Sequence, residues 1–129
     1  MLSQVLSIRG ATTIEENTPE QIATRSVELI AEIINKNGLE DKERFEVSDC
    51  IITTTGDITA FYPARAIRES GIIDTALFSA LEPPIENSLK LCIRVMLRVN
   101  NYGERTKPNH AYLHGAKNLR KDLTDKESK

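Results

Sequence analysis

The sequence predicts an α+β domain, a five-stranded mixed β-sheet with one long and one short helix. Three observations lead there. One long amphipathic stretch lies between Thr18 and Gly38, five short strand-like runs are spread along the rest, and Leu91 to Val99 alternates strictly between its two faces. At 129 residues the chain is long enough for one core and too short for two.

Val5 to Arg9 reads as the first strand, with Leu6 and Ile8 on one face and Val5, Ser7 and Arg9 on the other; Gly10 is expected to end it and open a loop through Asn17. Thr18 can cap the helix that follows, Pro19 suits its first position, and Gln21 stands where a capping box needs it. Ala23, Val27, Ile30 and Ile34, beside Ile22, Leu29 and Ile33, form a wide stripe that needs a sheet to cover, and Asn37-Gly38 is the stop signal. Leu39 to Glu46 is charged and reads as a loop or turn. Val47 to Thr55 is the second strand, ending in the hydroxyl run Thr53-Thr54-Thr55. Pro63 starts a short helix, Ala64 to Glu69, that closes near Gly71. Ala76 to Leu81 is the third strand, stopped by Pro83-Pro84; Leu91 to Val99 is the fourth. After a polar turn, His110 to His114 makes a short fifth strand, with His110, Tyr112 and His114 on one face, the histidines meeting solvent or an interface. Residues 1–115 form the domain, and 116–129 are expected to be a polar, mobile tail. The long helix covers one sheet face, which leaves the other to a second copy of the chain.

Composition narrows the function. Charged residues make up 28%, aromatics 5%, and net charge is −2, with no basic stripe, so nucleic acid is not an expected partner. No stretch approaches a membrane-spanning length, and no unbroken apolar run marks a signal peptide near Met1; no membrane partner and a cytoplasmic location are expected. Cys50 and Cys92 lie in apolar runs without a disulfide framework, as in a reducing compartment. No His or Cys cluster has metal-ligand spacing and no Gly-rich phosphate loop is present, so no metal and no cofactor are expected.

The residue that most needs explaining is Arg94. Alternation puts Leu91, Ile93, Val95, Leu97 and Val99 on one face and Cys92, Arg94, Met96 and Arg98 on the other. A permanent charge in that company requires an acceptor, either a protein carboxylate or an anionic ligand. Other polar groups stand beside apolar strands: Arg9, Arg65 with Arg68 on one helix face, Ser79 with Glu82, and Tyr112. Several arginines with one carboxylate and a phenol suit a small polyanion better than a proton shuttle. Singly, each has an ordinary reading: a strand end, a turn residue, a solvated helix face or a packed tyrosine.

Five segments taken together resemble the small trimeric class of monofunctional bacterial chorismate mutases. They are Ser7-Ile8-Arg9-Gly10-Ala11-Thr12-Thr13-Ile14-Glu15, Phe61-Tyr62-Pro63-Ala64-Arg65-Ala66-Ile67-Arg68, Glu82 after a strand, Leu91-Cys92-Ile93-Arg94-Val95-Met96, and Tyr112-Leu113. The resemblance implies a pseudo-α/β-barrel homotrimer with active sites between subunits, isomerising chorismate to prephenate on the way to phenylalanine and tyrosine. The reaction is a Claisen rearrangement that needs no cofactor, nucleophile or proton transfer. Arg94 would face the ether oxygen of the breaking bond, and Glu82 would orient Arg94 and accept the ring hydroxyl. Arg9 and Tyr112 would hold a carboxylate. Phe78, Ser79, Ala80 and Leu81 would line the same wall, with Tyr62, Arg65 and Arg68 near the mouth. Leu119 and Arg120 resemble a segment that closes over the cleft. Arg65, Tyr62 and Ser79 stand where some relatives have Lys, Phe and Cys, which alters details of contact and removes no essential group. Two other readings stay open on the sequence: an enamine or imine deaminase on a similar trimeric fold, and a trimeric sensor that binds an aromatic-pathway dicarboxylate without turnover.

Overall fold

Ten residues of strand, Gln4–Thr13 (β1), open a computed structural model that describes residues 1–119. The elements that follow are α1 (Pro19–Asn37), β2 (Phe45–Thr54), α2 (Pro63–Ser70), β3 (Ala76–Leu81), β4 (Cys92–Asn101), β5 (Ala111–Tyr112) and a single 3-10 turn at His114–Ala116. The sheet order is β3-β2-β4-β1-β5. β4 lies in the middle, antiparallel to β1 on one side and β2 on the other. β3 and β5 then pair parallel with the outer sides of β2 and β1. The sheet is therefore mixed, and both helices lie on one face of it, packed against each other.

Thr18 caps α1, its hydroxyl accepting from the Gln21 N–H at 3.2 Å, and Gly38 ends the helix in the left-handed region at φ 65°. The capping box does not close as expected. The Gln21 side chain accepts instead from the backbone of Glu15 and Glu16, because the Thr18 N–H is already given to the Glu16 carbonyl. The buried line of the helix is Ile22, Ser26, Leu29, Ile30 and Ile33, with Ala23, Val27 and Ile34 flanking it. Each large apolar side chain so buried contributes about 1.5–3 kcal/mol. They meet Leu6 and Ile8 of β1, Ile93, Val95, Leu97 and Val99 of β4, and Cys50 and Ile52 of β2. The alternation of the first and fourth strands is reproduced.

Gly10 does not end β1. The strand runs through it to Thr13, paired residue for residue with β4, Gly10 opposite Val95. Its role is close approach: a Cβ there would stand 2.8 Å from Ile33 Cδ1 and 3.1 Å from both the Ala111 carbonyl oxygen and Leu29 Cδ1. α1 and β5 can thus both press on β1 at one point.

The fifth strand shrinks to Ala111–Tyr112, and His110 is not at the surface. It is buried, and its Nδ1 accepts the Arg9 N–H at 2.9 Å, so it serves as a side-chain extension of the sheet ladder. His114, at φ 52°, stays exposed and pairs with Glu28 at 2.7 Å. Of the segment read as a tail, residues 116–119 are described. Ala116 is fully buried, and Leu119 packs beside it on Ala11, Cys92 and Tyr112. Arg120 and everything after it lie outside the described residues.

Candidate active site

The face of the sheet turned away from the helices holds a hollow of about 440 Å³, lined by Arg9, Gly10, Ala11, Ile51, Thr53, Glu82, Arg94, Val95, Met96 and Tyr112. Strand register assembles it. Ala11 of β1 and Thr53 of β2 both pair with Arg94, and Arg9 and Ile51 both pair with Met96. Tyr112 joins from β5 beside Ala11, and Ala80 of β3 sits beside Thr53. Five strands therefore bring residues more than a hundred positions apart to one row.

Arg94 answers the question its sequence position raised. Its Nε stands 3.5 Å from Glu82 Oε1, in a hollow where its side chain is 36% exposed and that of Glu82 is 23% exposed. The Nε atom is itself buried and engages no acceptor at hydrogen-bond geometry. Glu82 is fixed from two sides: its N–H donates to the Thr54 carbonyl at 2.9 Å, and its carboxylate accepts from the Thr53 hydroxyl. Both the carboxylate and the anionic-ligand readings of Arg94 are compatible with this geometry, because the pair leaves donors uncommitted.

The turn that feeds β4 is held with equal care. Leu91 adopts φ 49°, unusual for a branched side chain, and its N–H is accepted by both oxygens of Asp57 at 3.2 and 3.0 Å. Thr55 donates its hydroxyl to Asp57 at 2.5 Å and accepts the Cys92 N–H at 2.9 Å. Burial works against the charge on Asp57, but the Thr55 hydroxyl and the Leu91 N–H outweigh it and hold the carboxyl below its ordinary range. Burial raises the Cys92 thiol despite the neighbouring Arg94, and pushes Cys50, with Asp49 adding to the effect, up to about 12. Neither thiol is poised as a nucleophile. Among the described residues, no group of three or more His, Cys, Asp or Glu side chains is arranged to hold a metal ion.

The remaining sequence candidates do not join this hollow. Ser79 pairs with Ile52 and Leu81 with Thr54, so both face the helix side, whereas Phe78 and Ala80 face the Arg94 side. Ser79, Ala80 and Leu81 line a second hollow of about 640 Å³ with Tyr62, Pro63 and Arg65. Arg65 is exposed there, bonded to Glu69 at 2.6 Å and stacked over the Phe61 ring at 5.3 Å. Arg68 is exposed near it, with Tyr62 and Glu69. Within one chain, then, Arg9, Glu82, Arg94 and Tyr112 form one group and Tyr62, Arg65, Ser79 and Leu81 another. The stretch 78–81, read as one wall, straddles both faces of an edge strand.

Sequence reasoning passed over Ala11, Ile51 and Thr53 as lining residues and gave Met96 only as core or cleft-wall packing. Alternation with Arg94 offered a signal for Met96; the other three depend on register, which only the folded sheet supplies.

Comparisons with known proteins point one way. A family model described as chorismate mutase type I matches residues 5–123. A chorismate mutase AroH of Thermus thermophilus is 40% identical over 119 residues, 92% of this chain and 96% of that protein. The AroH of Bacillus subtilis strain 168 is 34% identical over 121 residues, 93% of each. A solved chorismate mutase from Clostridium thermocellum superposes with a TM-score of 0.78 at 41% identity, covering 88% of this chain and 98% of that one.

Proposed function

We propose how this chain, which belongs to the chorismate mutase type I family and is an isomerase of that kind, performs its rearrangement. The reacting centre is the hollow on the open sheet face. The observation that carries this is Arg94 held beside Glu82 on the central strand, with Arg9 and Tyr112 lining the same space.

Chorismate is a flexible dianion, and its reactive form folds the enolpyruvyl group over the ring. Arg9 and Tyr112 take a carboxylate and select that pose, which removes part of the entropic barrier. As the carbon–oxygen bond lengthens, negative charge gathers on the ether oxygen, and the Arg94 guanidinium faces it. A preorganised donor of this kind is stronger in the transition state than in the ground state, and that difference is what raises the rate. Glu82 accepts the ring hydroxyl and keeps Arg94 in place. One such donor supplies about 3–4 kcal/mol and restriction of the substrate the rest of the roughly 8 kcal/mol that a millionfold acceleration requires.

The second group of residues enters from a neighbouring copy in a homotrimer. Tyr62, Phe78, Leu81 and Ile85 are more than 60% exposed around the β3 edge, an apolar surface suited to a subunit contact. A second chain seated there would bring its Tyr62, Arg65, Arg68 and Ser79 to the mouth of the first chain's hollow. We place the enzyme in the cytoplasm, among the reactions leading to phenylalanine and tyrosine. No helix among the described residues is long and apolar enough to cross a membrane.

The test is a chorismate-depletion assay on the untagged protein, without metal or nucleotide, beside a measurement of molar mass. Prephenate as sole product and a mass of three chains are expected. Prephenate binding without turnover, or full activity in a monomer, would overturn the corresponding half of the proposal.

A further inference from the structure

We propose that Thr53 is a positioning residue for the isomerisation, its hydroxyl holding the Glu82 carboxylate so that Arg94 stays open toward the substrate. The inference rests on the reading of Arg94 and Glu82 given above and extends it by one residue.

Thr53 sits in β2 between two residues of the site, paired with Arg94 on one side and Ala80 on the other. It faces the hollow, half-buried, and its hydroxyl donates to Glu82 Oε1. That is the same oxygen that stands 3.5 Å from Arg94 Nε. A glutamate side chain has three rotatable bonds, and the backbone contact between Glu82 and Thr54 fixes none of them. A β-branched threonine on a strand has a restricted χ1, so it is a rigid donor, and its bond to a carboxylate is charge-assisted. The hydroxyl takes the lone pair that Nε would otherwise approach. With that oxygen engaged, Arg94 keeps a neighbour that orients it while its Nε remains without an acceptor at bonding geometry. Without the hydroxyl, the carboxylate would swing either out of the hollow or fully onto the guanidinium. In both cases Arg94 meets the developing negative charge less well.

The experiment is a double-mutant cycle. Thr53→Val, close to threonine in shape and well suited to a strand, is made in the wild-type and Glu82→Ala backgrounds, and kcat and KM for chorismate are measured in each. In the wild-type background Thr53→Val is expected to lower kcat about tenfold and move KM less than about threefold. Thr53→Ser, which keeps the donor, should return kcat to within about twofold of wild type. In the Glu82→Ala background the same Thr53→Val change should alter kcat less than about twofold, because its partner is gone. Should Thr53→Val fail to fold, as judged by thermal melting, Thr53→Ala is read in the same way. Equal losses in both backgrounds would overturn the proposal by showing that Thr53 acts without Glu82, and so would an unchanged kcat in Thr53→Val. If Glu82→Ala alone leaves kcat untouched, the assignment of Glu82 itself is wrong, an outcome distinct from a failure at Thr53.

Discussion

Replacing Arg94 by alanine should damage the enzyme in two separable ways. The first is loss of the donor that, on the proposed mechanism, faces the ether oxygen. Removing one such group costs about 2.7–4 kcal/mol, which with the accompanying misorientation gives three or more decades in kcat. The second follows from the geometry around it. Glu82, 3.5 Å from Arg94 Nε, would lose the guanidinium beside it. A substrate carboxylate roughly 6 Å away would then be repelled by about 2–3 kcal/mol at an effective dielectric constant near 20. That repulsion acts on bound substrate and transition state alike, so it falls on KM, by about one to two decades. Steady-state kinetics on Arg94→Ala and on Arg94→Ala with Glu82→Gln separate the two. The double variant should recover most of the KM and none of the kcat. Arg94→Lys should recover part of the kcat, because it returns a point charge without the planar fork. Near-normal kcat with only KM raised in Arg94→Ala would refute the transition-state role.

Four further outcomes follow from the fold. Gly10→Ala should destabilise the protein by about 1–3 kcal/mol, read as a lower thermal midpoint, because its Cβ meets the Ala111 backbone oxygen as well as Ile33 and Leu29. Asp57, held below its ordinary pKa in the folded chain, stabilises the protein above about pH 4 and loses that contribution as pH falls through its folded value. Wild type should therefore lose thermal midpoint on acidification more steeply than Asp57→Asn, and identical slopes would contradict the clamp. Neither buried thiol should react with an exposed-thiol reagent near pH 8, and both should react after denaturation, given that Cys50 is pushed to about 12 and Cys92 is also raised. Truncation after Gly115, which removes Ala116 and Leu119 from the cluster around Tyr112 and Cys92, should raise KM more than it lowers kcat. An unchanged KM would rule that out.

Much of the fold was legible because local pattern and tertiary role agreed. β4 alternates in sequence and in burial, and Thr18, Pro19 and Gly38 bound α1 as their chemistry requires. Gly10 was misread because a glycine usually punctuates a strand, and its actual role depends on Leu29, Ile33 and Ala111 converging on it. His110 was misread for a similar reason: its partner is the backbone of Arg9, 101 positions away. For the site, motif order along the chain named Arg9, Glu82, Arg94 and Tyr112 together, and the hollow contains all four. Motif order could not reveal that Ser79 and Leu81 face the opposite side from Arg94, since that is a matter of strand parity against β2. Thr53 was hidden in a hydroxyl run that reads as a strand end; only its register opposite Arg94 makes it conspicuous.

The position of β4 has a consequence for which parts of the molecule are permitted to yield. β1 and β2 are also paired on both flanks, but β4 is paired along nearly its whole length on both, which makes it the stiffest member of the sheet and the one whose amides open last. The rims differ: β3 offers an unladdered outer side among exposed apolar residues, and β5 is two residues long. Compliance therefore grows outward from the guanidinium. Hydrogen–deuterium exchange should trace that gradient, slowest at Ile93 to Leu97 and quicker at Ala111 and Tyr112, with Ala76 to Leu81 protected only when a neighbouring chain covers that edge.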